Sequence, residues 1–385
     1  MMNSLFPTSM KMLDRPLSFG DRVAILTRTK NRPILLARAF ASIIAQTHQN
    51  WHLYLVNDGG DPAQVNELVE TYETAFAGRL TVIHHERSLG MEAASNAGLS
   101  IAQGDFIVVH DDDDSWHPEF LEITTKHLNA PSNHKYAAVL TNCYVVNERI
   151  ENDRVLEQDR TVWSYWQPQV DLATMLTRNI SPPICLLVRK AIADLIGPFN
   201  ATLPVLGDWD YNLRILTVGD IATIPEPLAY YHHRVQTDTG LYGNSVRAGV
   251  NQHQLYDTLY RNSLVRPLLQ KEPGYIGLLH ILLRQADGKH SQTIDLLKQQ
   301  DTWNHHRHAD LQHRITVFAA RLDNSEAQLH QINETLAQLR QSALEDRAVI
   351  LEIHYMLSQL TRLLRGFWRR IVPLRRLIAK MRGRI

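Results

Sequence analysis

The stretch Gly104-Asp105-Phe106-Ile107-Val108-Val109-His110-Asp111-Asp112-Asp113-Asp114-Ser115-Trp116-His117-Pro118 contains the two features that decide the fold. Its β-branched and aromatic run, 106–109, predicts a short buried strand. Four consecutive aspartates follow almost at once. Adjacent carboxylates repel each other and are costly to desolvate, so this cluster indicates a bound cation or polar ligand. Because side chains alternate along an extended segment, we expect Asp111 and Asp113 on one side and Asp112 on the other.

Two interpretations of the acidic cluster are open at this point. An oxygen-rich site suits Mg²⁺ or Mn²⁺, and the Asp-x-Asp spacing would clamp a metal-bound diphosphate. Alternatively, the cluster is a solvated acidic turn that caps a helix starting near Pro118. The surrounding sequence has to distinguish between them.

The bulk properties limit the class of protein. A chain of 385 residues predicts one large domain with an appendage. Its 44% hydrophobic and 21% charged residues are globular values, and a net charge of +0 gives no nucleic-acid signal. Cys143 and Cys185 form neither a disulfide framework nor a zinc set, so we expect buried thiols in a reducing, cytosolic compartment. No stretch approaches the roughly 20 apolar residues of a membrane span, and residues 1–20 lack a secretory signal.

Strand and helix patterns alternate before the acidic cluster. Strands are predicted at 23–26, 51–56 and 80–83, and helices at 33–44, 64–76 and 93–102. This alternation predicts an α/β fold with a mostly parallel sheet. Ligands of such sheets bind at the carboxyl ends of the strands. Three groups of residues lie at such ends: the segment 27–32, the pair Asn57-Asp58 and the acidic cluster.

A second region follows the cluster, with strands predicted at 139–146, 184–189 and 225–234 and a helix at 171–176. Gly207-Asp208-Trp209-Asp210 begins another helix. Asp208 is either the N-cap of that helix or a buried base facing a substrate. His232 and His233 end the last strand, where either could complete a metal site.

Taken in order, these segments resemble the family 2 glycosyltransferases over about residues 22–233. The stretch from Gly104 to Pro118 is similar to that family's segment ending in D-x-D-D-x-W-x-P. Residues 87–90 with 94–98 are similar to its N-x-G and A-R-N-x-G segments, and 197–200 with 208–210 to its G-x-F-D and E-D-x-D segments. The resemblance implies the GT-A fold, a Rossmann-like and mostly parallel sheet with helices on both faces.

The resemblance also implies roles for individual residues. Asp208 would be the catalytic base of an inverting sugar transfer from a nucleotide-sugar. Asp113 would hold Mn²⁺ or Mg²⁺ against the diphosphate. His233 is predicted to complete the metal site from its place at the end of the last strand, although it does not fit the family's Y-x-x-H spacing. The nucleotide-sugar would be bound by Thr27, Thr29, Asn31, Arg32, Asn57, Asp58, Gly90, Asn96, Asp111 and Asp112.

Three positions depart from the family pattern. Asn57 stands where an aspartate is usual, Ser95 where arginine is frequent, and Gly207 where glutamate commonly precedes the base. Two alternatives therefore stay open. One is a sugar-phosphate nucleotidyltransferase, although residues 27–32 lack the glycine of a phosphate loop. The other is a catalytically degenerate domain that serves as an oligomeric, membrane-associated scaffold.

Five segments are predicted: an N-terminal extension (1–20), a catalytic domain (21–245), a helical region (246–320), a coiled coil (321–361) and a basic tail (362–385). An apolar stripe runs from Leu329 to Leu364 in steps of three and four, interrupted by Asp346. It predicts self-association through a coiled coil, with a helix folded back on the catalytic domain as the alternative.

The basic tail contains arginine and lysine residues but no acidic residue, interleaved with apolar residues that include Phe367 and Trp368. This pattern is typical of a helix lying on an anionic membrane surface. We therefore expect a peripheral protein at the inner face of the plasma membrane that acts on a glycan or lipid-linked glycan acceptor. A solvated tail is the alternative, and no base-reading motif supports nucleic acid as a partner.

Overall fold

The computed structural model describes residues 20–151, 154–234, 250–343 and 350–382. The chain divides into two compact units at Pro267. Four parts of the sequence prediction lie outside the described residues: most of the N-terminal extension (residues 1–19), the boundary at 245/246, Asp346 and the end of the basic tail (383–385).

The first unit is built on a single sheet, and the strands predicted from the sequence are present, most of them longer than predicted. The strands are β1 (Val23–Thr29), β2 (Trp51–Asp58), β3 (Leu80–His85), β4 (Phe106–Val109), β5 (Ser115–Trp116), β6 (Tyr136–Glu151), β7 (Arg154–Val162), β8 (Leu186–Arg189) and β9 (Asp220–Arg234). Their order is β3-β2-β1-β4-β8-β6-β9-β5, with β7 paired to β6. The hairpin strand β7 is absent from the sequence prediction.

The sheet changes character at β4. Strands β3, β2, β1 and β4 are all parallel, as predicted. Beyond β4 the sheet is mixed, because β8 runs antiparallel to both β4 and β6 while β6 and β9 are parallel. The α/β class is confirmed, with a parallel half that carries the acidic loop at the end of β4.

The helices of this unit are α1 (Pro33–Ile44), α2 (Pro62–Phe76), α3 (Met91–Ile101), α4 (Phe120–Asn129), α5 (Leu172–Thr177), α6 (Lys190–Ile196), α7 (Gly207–Leu216) and α8 (Val250–Lys271). Helix α1 shows why they form. Its buried residues Leu36, Phe40 and Ile43 recur at helical spacing and face the sheet. Phe40 packs edge-on against Phe76 of α2 at 4.9 Å. Full burial of each such side chain contributes about 1.5–3 kcal/mol.

Both cysteines, Cys143 and Cys185, are buried free thiols, which confirms that prediction. Burial raises the pKa of Cys185. The two thiols belong to the core under the mixed half of the sheet.

The second unit contains two long helices, α9 (Tyr275–Ala343) and α10 (Ile350–Arg382). Arg375 of α10 pairs with Asp323 at 3.4 Å and with Glu326 at 2.6 Å, so the two helices contact each other there. Of the apolar stripe, Ile332 and Leu339 remain about half exposed. Among the described helices none is long and apolar enough to cross a membrane.

Candidate active site

A crevice of about 380 Å³ opens beside the carboxyl ends of β1, β2 and β4. Ligand pockets in proteins typically measure roughly 300–1,000 Å³. The sheet register places Leu26 beside Val109 and Thr29 beside Asn57, which brings the three strand ends side by side. The predicted site residues that line the crevice are Thr29, Arg32, Asp58, Gly90, Asp111, Asp113 and Asp208.

The remaining predicted residues, Thr27, Asn31, Asn57, Asn96, Asp112 and His233, are not among the described lining residues. Three of them are amides that shape loops. Asn57 closes its own turn by bonding the backbone of Gly60 at 2.9 and 3.0 Å. Asn96 bonds both backbone groups of Phe199 at 2.8 and 2.7 Å, and Asn31 accepts from the Asp61 N–H at 2.7 Å. Their predicted contact with the nucleotide-sugar would thus be indirect.

The first two aspartates of the acidic run have separate partners. The Arg28 Nε and Nη2 atoms lie 2.9 and 2.8 Å from Asp111 Oδ1. Asp112 points to the other side, where it is fully buried, accepts from the Thr29 hydroxyl at 2.6 Å and pairs with Arg32 at 2.7 Å. Burial raises the pKa of Asp112 to about 6, although Arg32 partly offsets this effect. The alternation predicted for the run is confirmed.

Burial also excludes the solvated-turn interpretation, since Asp112 and Asp114 are 0% and 1% exposed. Asp114 accepts the backbone N–H of His232 at 2.9 Å, which ties the acidic loop to β9. Helix α4 begins at Phe120, with Glu119 rather than any of the four aspartates at its N-cap.

Asp113 is held by two arginines. Its Oδ2 atom accepts from Arg32 at 3.3 Å and from Arg234. Burial alone would raise the pKa of Asp113, but Arg32 and Arg234 lower it well below the usual range. Asp113 is therefore a stable anion on the wall of the crevice.

A buried ion network supports this arrangement from behind. Glu148 of β6 pairs with Arg38 at 2.6 Å, with Arg234 at 3.1 Å and with His232 Nδ1 at 2.7 Å. Against the effect of burial, His232 and Arg38 lower the pKa of Glu148 to about 2. The network fixes the acidic loop relative to α1, β6 and β9.

Asp58 accepts hydrogen bonds from several groups at the end of β3 and in the loop that follows it. It accepts from Ser88 Oγ at 2.6 Å, from the backbone N–H groups of Leu89 and Gly90 at 2.9 and 3.0 Å, and lies 2.8 Å from His85 Nδ1. Burial would raise the pKa of Asp58, but these bonds lower it. Gly90 has a φ of 98°, which glycine adopts without strain. Asp58 thus sets the shape of the crevice wall.

Asp208 stands in the first turn of α7. The helix begins at Gly207 and Leu206 precedes it, so the interpretation of Asp208 as an N-cap is wrong. Asn179 Nδ2 donates to Asp208 Oδ2 at 2.7 Å. Burial raises the pKa of Asp208, and the Trp209 N–H and Arg28 offset only part of this effect. A carboxylate with a raised pKa is a stronger base.

The structure does not bring His233 to the crevice. Its ring packs edge-on against Tyr231 at 4.4 Å, and the next residue, Arg234, takes the position facing Asp113. Within the described ranges no group of three or more His, Cys, Asp or Glu side chains is placed to hold a metal ion. Mg²⁺ is often bound by one or two carboxylates together with substrate phosphates. Asp113, with Asp111 on the same wall, fits that mode.

The sequence analysis missed several residues that line the crevice or support its wall: Arg28, Arg38, Glu92, Glu148, Asn179 and Arg234. Arg28 Nη1 donates to Ser95 Oγ at 2.9 Å, so a guanidinium group lies beside position 95 after all. Glu92 is the only charged residue of α3, a signal that could have identified it. Glu148 gave no signal, because its partners come from distant parts of the chain.

The parallel half-sheet, its acidic carboxyl edge and the mixed half that follows agree with the GT-A fold that the sequence resemblance implies. Residues 24–196 match the model of "Glycosyl transferase family 2". This match covers somewhat less than half of the chain.

Two curated relatives to which the chain is similar are named as glycosyltransferases. The chain is 28% identical over 194 residues to "Uncharacterized glycosyltransferase YwdF" of Bacillus subtilis, covering 50% of this chain and 67% of the relative. It is 32% identical over 115 residues to "Putative colanic acid biosynthesis glycosyl transferase WcaA" of Escherichia coli, covering 30% of this chain and 40% of the relative. The chain thus spans well under half of the second relative.

Solved structures give a weaker likeness. "S. aureus TarS 1-349 in complex with UDP-GlcNAc" has a TM-score of 0.42 and 18% identity, covering 55% of this chain and 59% of that chain. "Mannosyltransferase PcManGT from Pyrobaculum calidifontis in complex with GDP-Man and Mn2+" has a TM-score of 0.40 and 18% identity, covering 57% and 61%. At these TM-scores the likeness adds nothing to the functional argument.

Proposed function

We propose that the first unit transfers a sugar from a nucleoside-diphosphate sugar to a hydroxyl group of a glycan, with inversion at the anomeric carbon. One observation carries this proposal: Asp58, Asp111, Asp113 and Asp208, from three separate segments, line one crevice with Arg28 and Arg32. Two cations beside carboxylates suit a ligand that is itself anionic and carries hydroxyl groups.

In the proposed reaction, Asp208 accepts the proton of the acceptor hydroxyl as its oxygen attacks the anomeric carbon. The bond from that carbon to the diphosphate oxygen breaks, and the electron pair leaves with the diphosphate. Arg28 and Arg32 stabilise the charge that develops there. A Mn²⁺ or Mg²⁺ ion held at Asp113 would supply further neutralisation as a Lewis acid. Carboxylates near the sugar also stabilise its oxocarbenium-like transition state.

The test is a screen of nucleotide-sugars for metal-dependent hydrolysis and transfer, followed by Asp208→Asn and Asp113→Ala. Loss of a general base lowers rates by about 10²–10⁴-fold, and we expect kcat to fall in that range for Asp208→Asn. Asp61→Asn, which alters a helix cap outside the crevice, is the control. Folded variants that keep full activity would contradict the assignment.

We further propose that the basic segment 362–385 places the enzyme on the inner face of the plasma membrane, where the acceptor is a lipid-linked glycan. The described part of this segment is helical, and it exposes Phe367 and Trp368 by 44% and 48%. Self-association through the second unit is proposed on the half-exposed stripe residues Ile332 and Leu339.

A further inference from the structure

Glu92 is a buried carboxylate on the wall of the crevice that the proposed reaction does not use. It belongs to the first turn of α3, is 5% exposed and lines the crevice. Its Oε2 atom is buried and has no hydrogen-bond partner in the part of the chain that the structure describes. A buried oxygen without a partner costs about 1–3 kcal/mol, which a bound ligand would recover.

The position of Glu92 is fixed from two sides. Oε2 lies 3.6 Å from Arg28 Nη1, and Arg28 in turn pairs with Asp111. On the other side, a Cβ atom at Gly207 would lie only 2.2 Å from the Glu92 carboxyl carbon. Gly207 does not have a positive φ, so its backbone does not require glycine. Residue 207 lacks a side chain because Glu92 fills the space.

The Glu92 carboxylate therefore lies between two parts of the crevice that have different proposed functions. Arg28 and Asp111 belong to the wall proposed to bind the nucleotide and diphosphate. Asp208, next to Gly207, is the proposed base for the acceptor hydroxyl. The group that lies between a diphosphate and an acceptor is the transferred sugar.

We infer that Glu92 binds a hydroxyl group of the sugar that is transferred, and so contributes to donor specificity. This inference rests on the proposed glycosyl transfer. Burial raises the pKa of Glu92 to about 7, with Arg28 as a partial offset, so the carboxyl group can accept or donate such a hydrogen bond near neutral pH.

The experiment compares two affinities in the same protein by calorimetry with MnCl₂ present. The probes are UDP-glucose against UDP, GDP-mannose against GDP and dTDP-rhamnose against dTDP. For Glu92→Ala we expect the Kd of the bound nucleotide-sugar to rise about ten- to hundredfold, while the Kd of its nucleoside diphosphate changes less than about threefold. Gly207→Ala, which displaces the Glu92 carboxyl group, should give the same selective loss. Glu67→Ala, on the exposed side of α2, is the matched control.

Relocation of the carboxylate separates binding from a structural role. In Glu92→Ala combined with Gly207→Glu, a side chain at 207 reaches the vacated volume, and nucleotide-sugar affinity should recover at least about fivefold over Glu92→Ala. If Glu92→Ala does not fold, Glu92→Gln replaces it, with a smaller but still sugar-selective loss.

Three results would overturn the inference. Unchanged nucleotide-sugar affinity, or an equal loss for nucleotide-sugar and nucleoside diphosphate, would refute a sugar contact while leaving the proposed function in place. A wild-type protein that binds none of the nucleotide-sugars would overturn both.

Discussion

Asn179 Nδ2 donates a 2.7 Å hydrogen bond to Asp208 Oδ2 and thereby favours the ionised form of the proposed base. Burial acts in the opposite direction and raises the pKa of Asp208. Asn179 acts in the same direction as the Trp209 N–H and Arg28, and its neutral side chain can be removed by mutation.

Asn179→Ala should shift the pH dependence of the reaction. Loss of the donor raises the pKa of Asp208 further. On acidification, the activity of the variant should therefore begin to fall at a higher pH than the activity of the wild type. We expect the acid limb of the kcat/KM profile to move to higher pH, with a nearly unchanged plateau at alkaline pH. Asn200→Ala, in an exposed turn, is the control. An acid limb that does not move would show that Asp208 is not the titrating base.

Metal and nucleotide should bind interdependently. Asp113 offers the metal too few protein ligands on its own, so we expect Mn²⁺ to raise the affinity for the preferred nucleoside diphosphate at least about tenfold, and the reverse to the same extent. Calorimetry with and without EDTA measures both. Asp113→Asn should abolish the mutual enhancement, whereas Asp61→Asn should preserve it. Enhancement that survives in Asp113→Asn would place the metal elsewhere.

Glu148→Gln should destabilise the fold in a pH-dependent manner. The pKa of Glu148 is lowered in the folded state to about 2, so its stabilising effect is present above the pKa of the unfolded chain and is lost as the pH falls towards 2. We expect a loss of about 3 kcal/mol in the free energy of unfolding at pH 7, from urea titrations.

Two comparisons test that explanation. The difference between Glu148→Gln and wild type should shrink steadily as the pH is lowered below about 4.5, the range in which an unfolded glutamate is protonated. Glu157→Gln, at the exposed pair with Arg160 on β7, should change stability by less than about 0.5 kcal/mol. A loss for Glu148→Gln that is independent of pH would mean that packing, not charge, is the cause.

Replacing Arg365, Arg369, Arg370 and Arg376 by glutamine should weaken membrane binding. Each basic residue contributes about 1 kcal/mol near an anionic surface, so partition onto phosphatidylglycerol vesicles should fall at least about a hundredfold in sedimentation assays. Arg375 is left intact because it pairs with Glu326. The control replaces Lys289, Lys298, Arg307 and Arg314 of α9. Equal binding of both variants would refute a membrane role for this segment.

Ile332→Asn with Leu339→Asn should convert an oligomer into a monomer, as measured by light scattering of the full chain. Both side chains are about half exposed, so folding of α9 does not depend on their burial. Burial of an asparagine amide group in an apolar environment is unfavourable. Asparagine on this apolar stripe therefore weakens association only where a partner chain covers it. Gln328→Asn with Gln331→Asn is the control, and an unchanged mass for Ile332→Asn with Leu339→Asn would exclude this stripe as the interface.

The sequence predicted the parallel half of the sheet well because each of its elements is local. The run at 106–109 and the periodic face of α1 contain their own signals, and both elements are found where they were predicted. The hairpin strand β7 was missed because residues 154–162 are almost entirely exposed and its apolar residues, Val155, Leu156 and Val162, do not alternate with polar ones. Its strand character comes from pairing with β6.

The candidate site was predicted only in part for a related reason. Strand ends and their aspartates follow from order along the chain, and they do meet in one crevice. The choice between a residue that faces a ligand and one that shapes a loop depends on contacts across the fold. Asn57 and Asn96 look like ligand-binding amides in sequence, yet each bonds the backbone. Arg234 and Glu148 meet from segments 86 residues apart, which no local pattern reveals.

The antiparallel joint between β4 and β8, where the sheet changes from parallel to mixed, separates two groups of site residues. Strand ends before the joint carry the residues proposed for the donor, whereas Asn179, Asp208 and Tyr260, which bonds Asp210 at 3.0 Å, all come after it. With the roles proposed above, the residues on the acceptor side can change while the wall proposed for the nucleotide is kept. Glu92, reaching across to Gly207, is the point at which the two halves must change together.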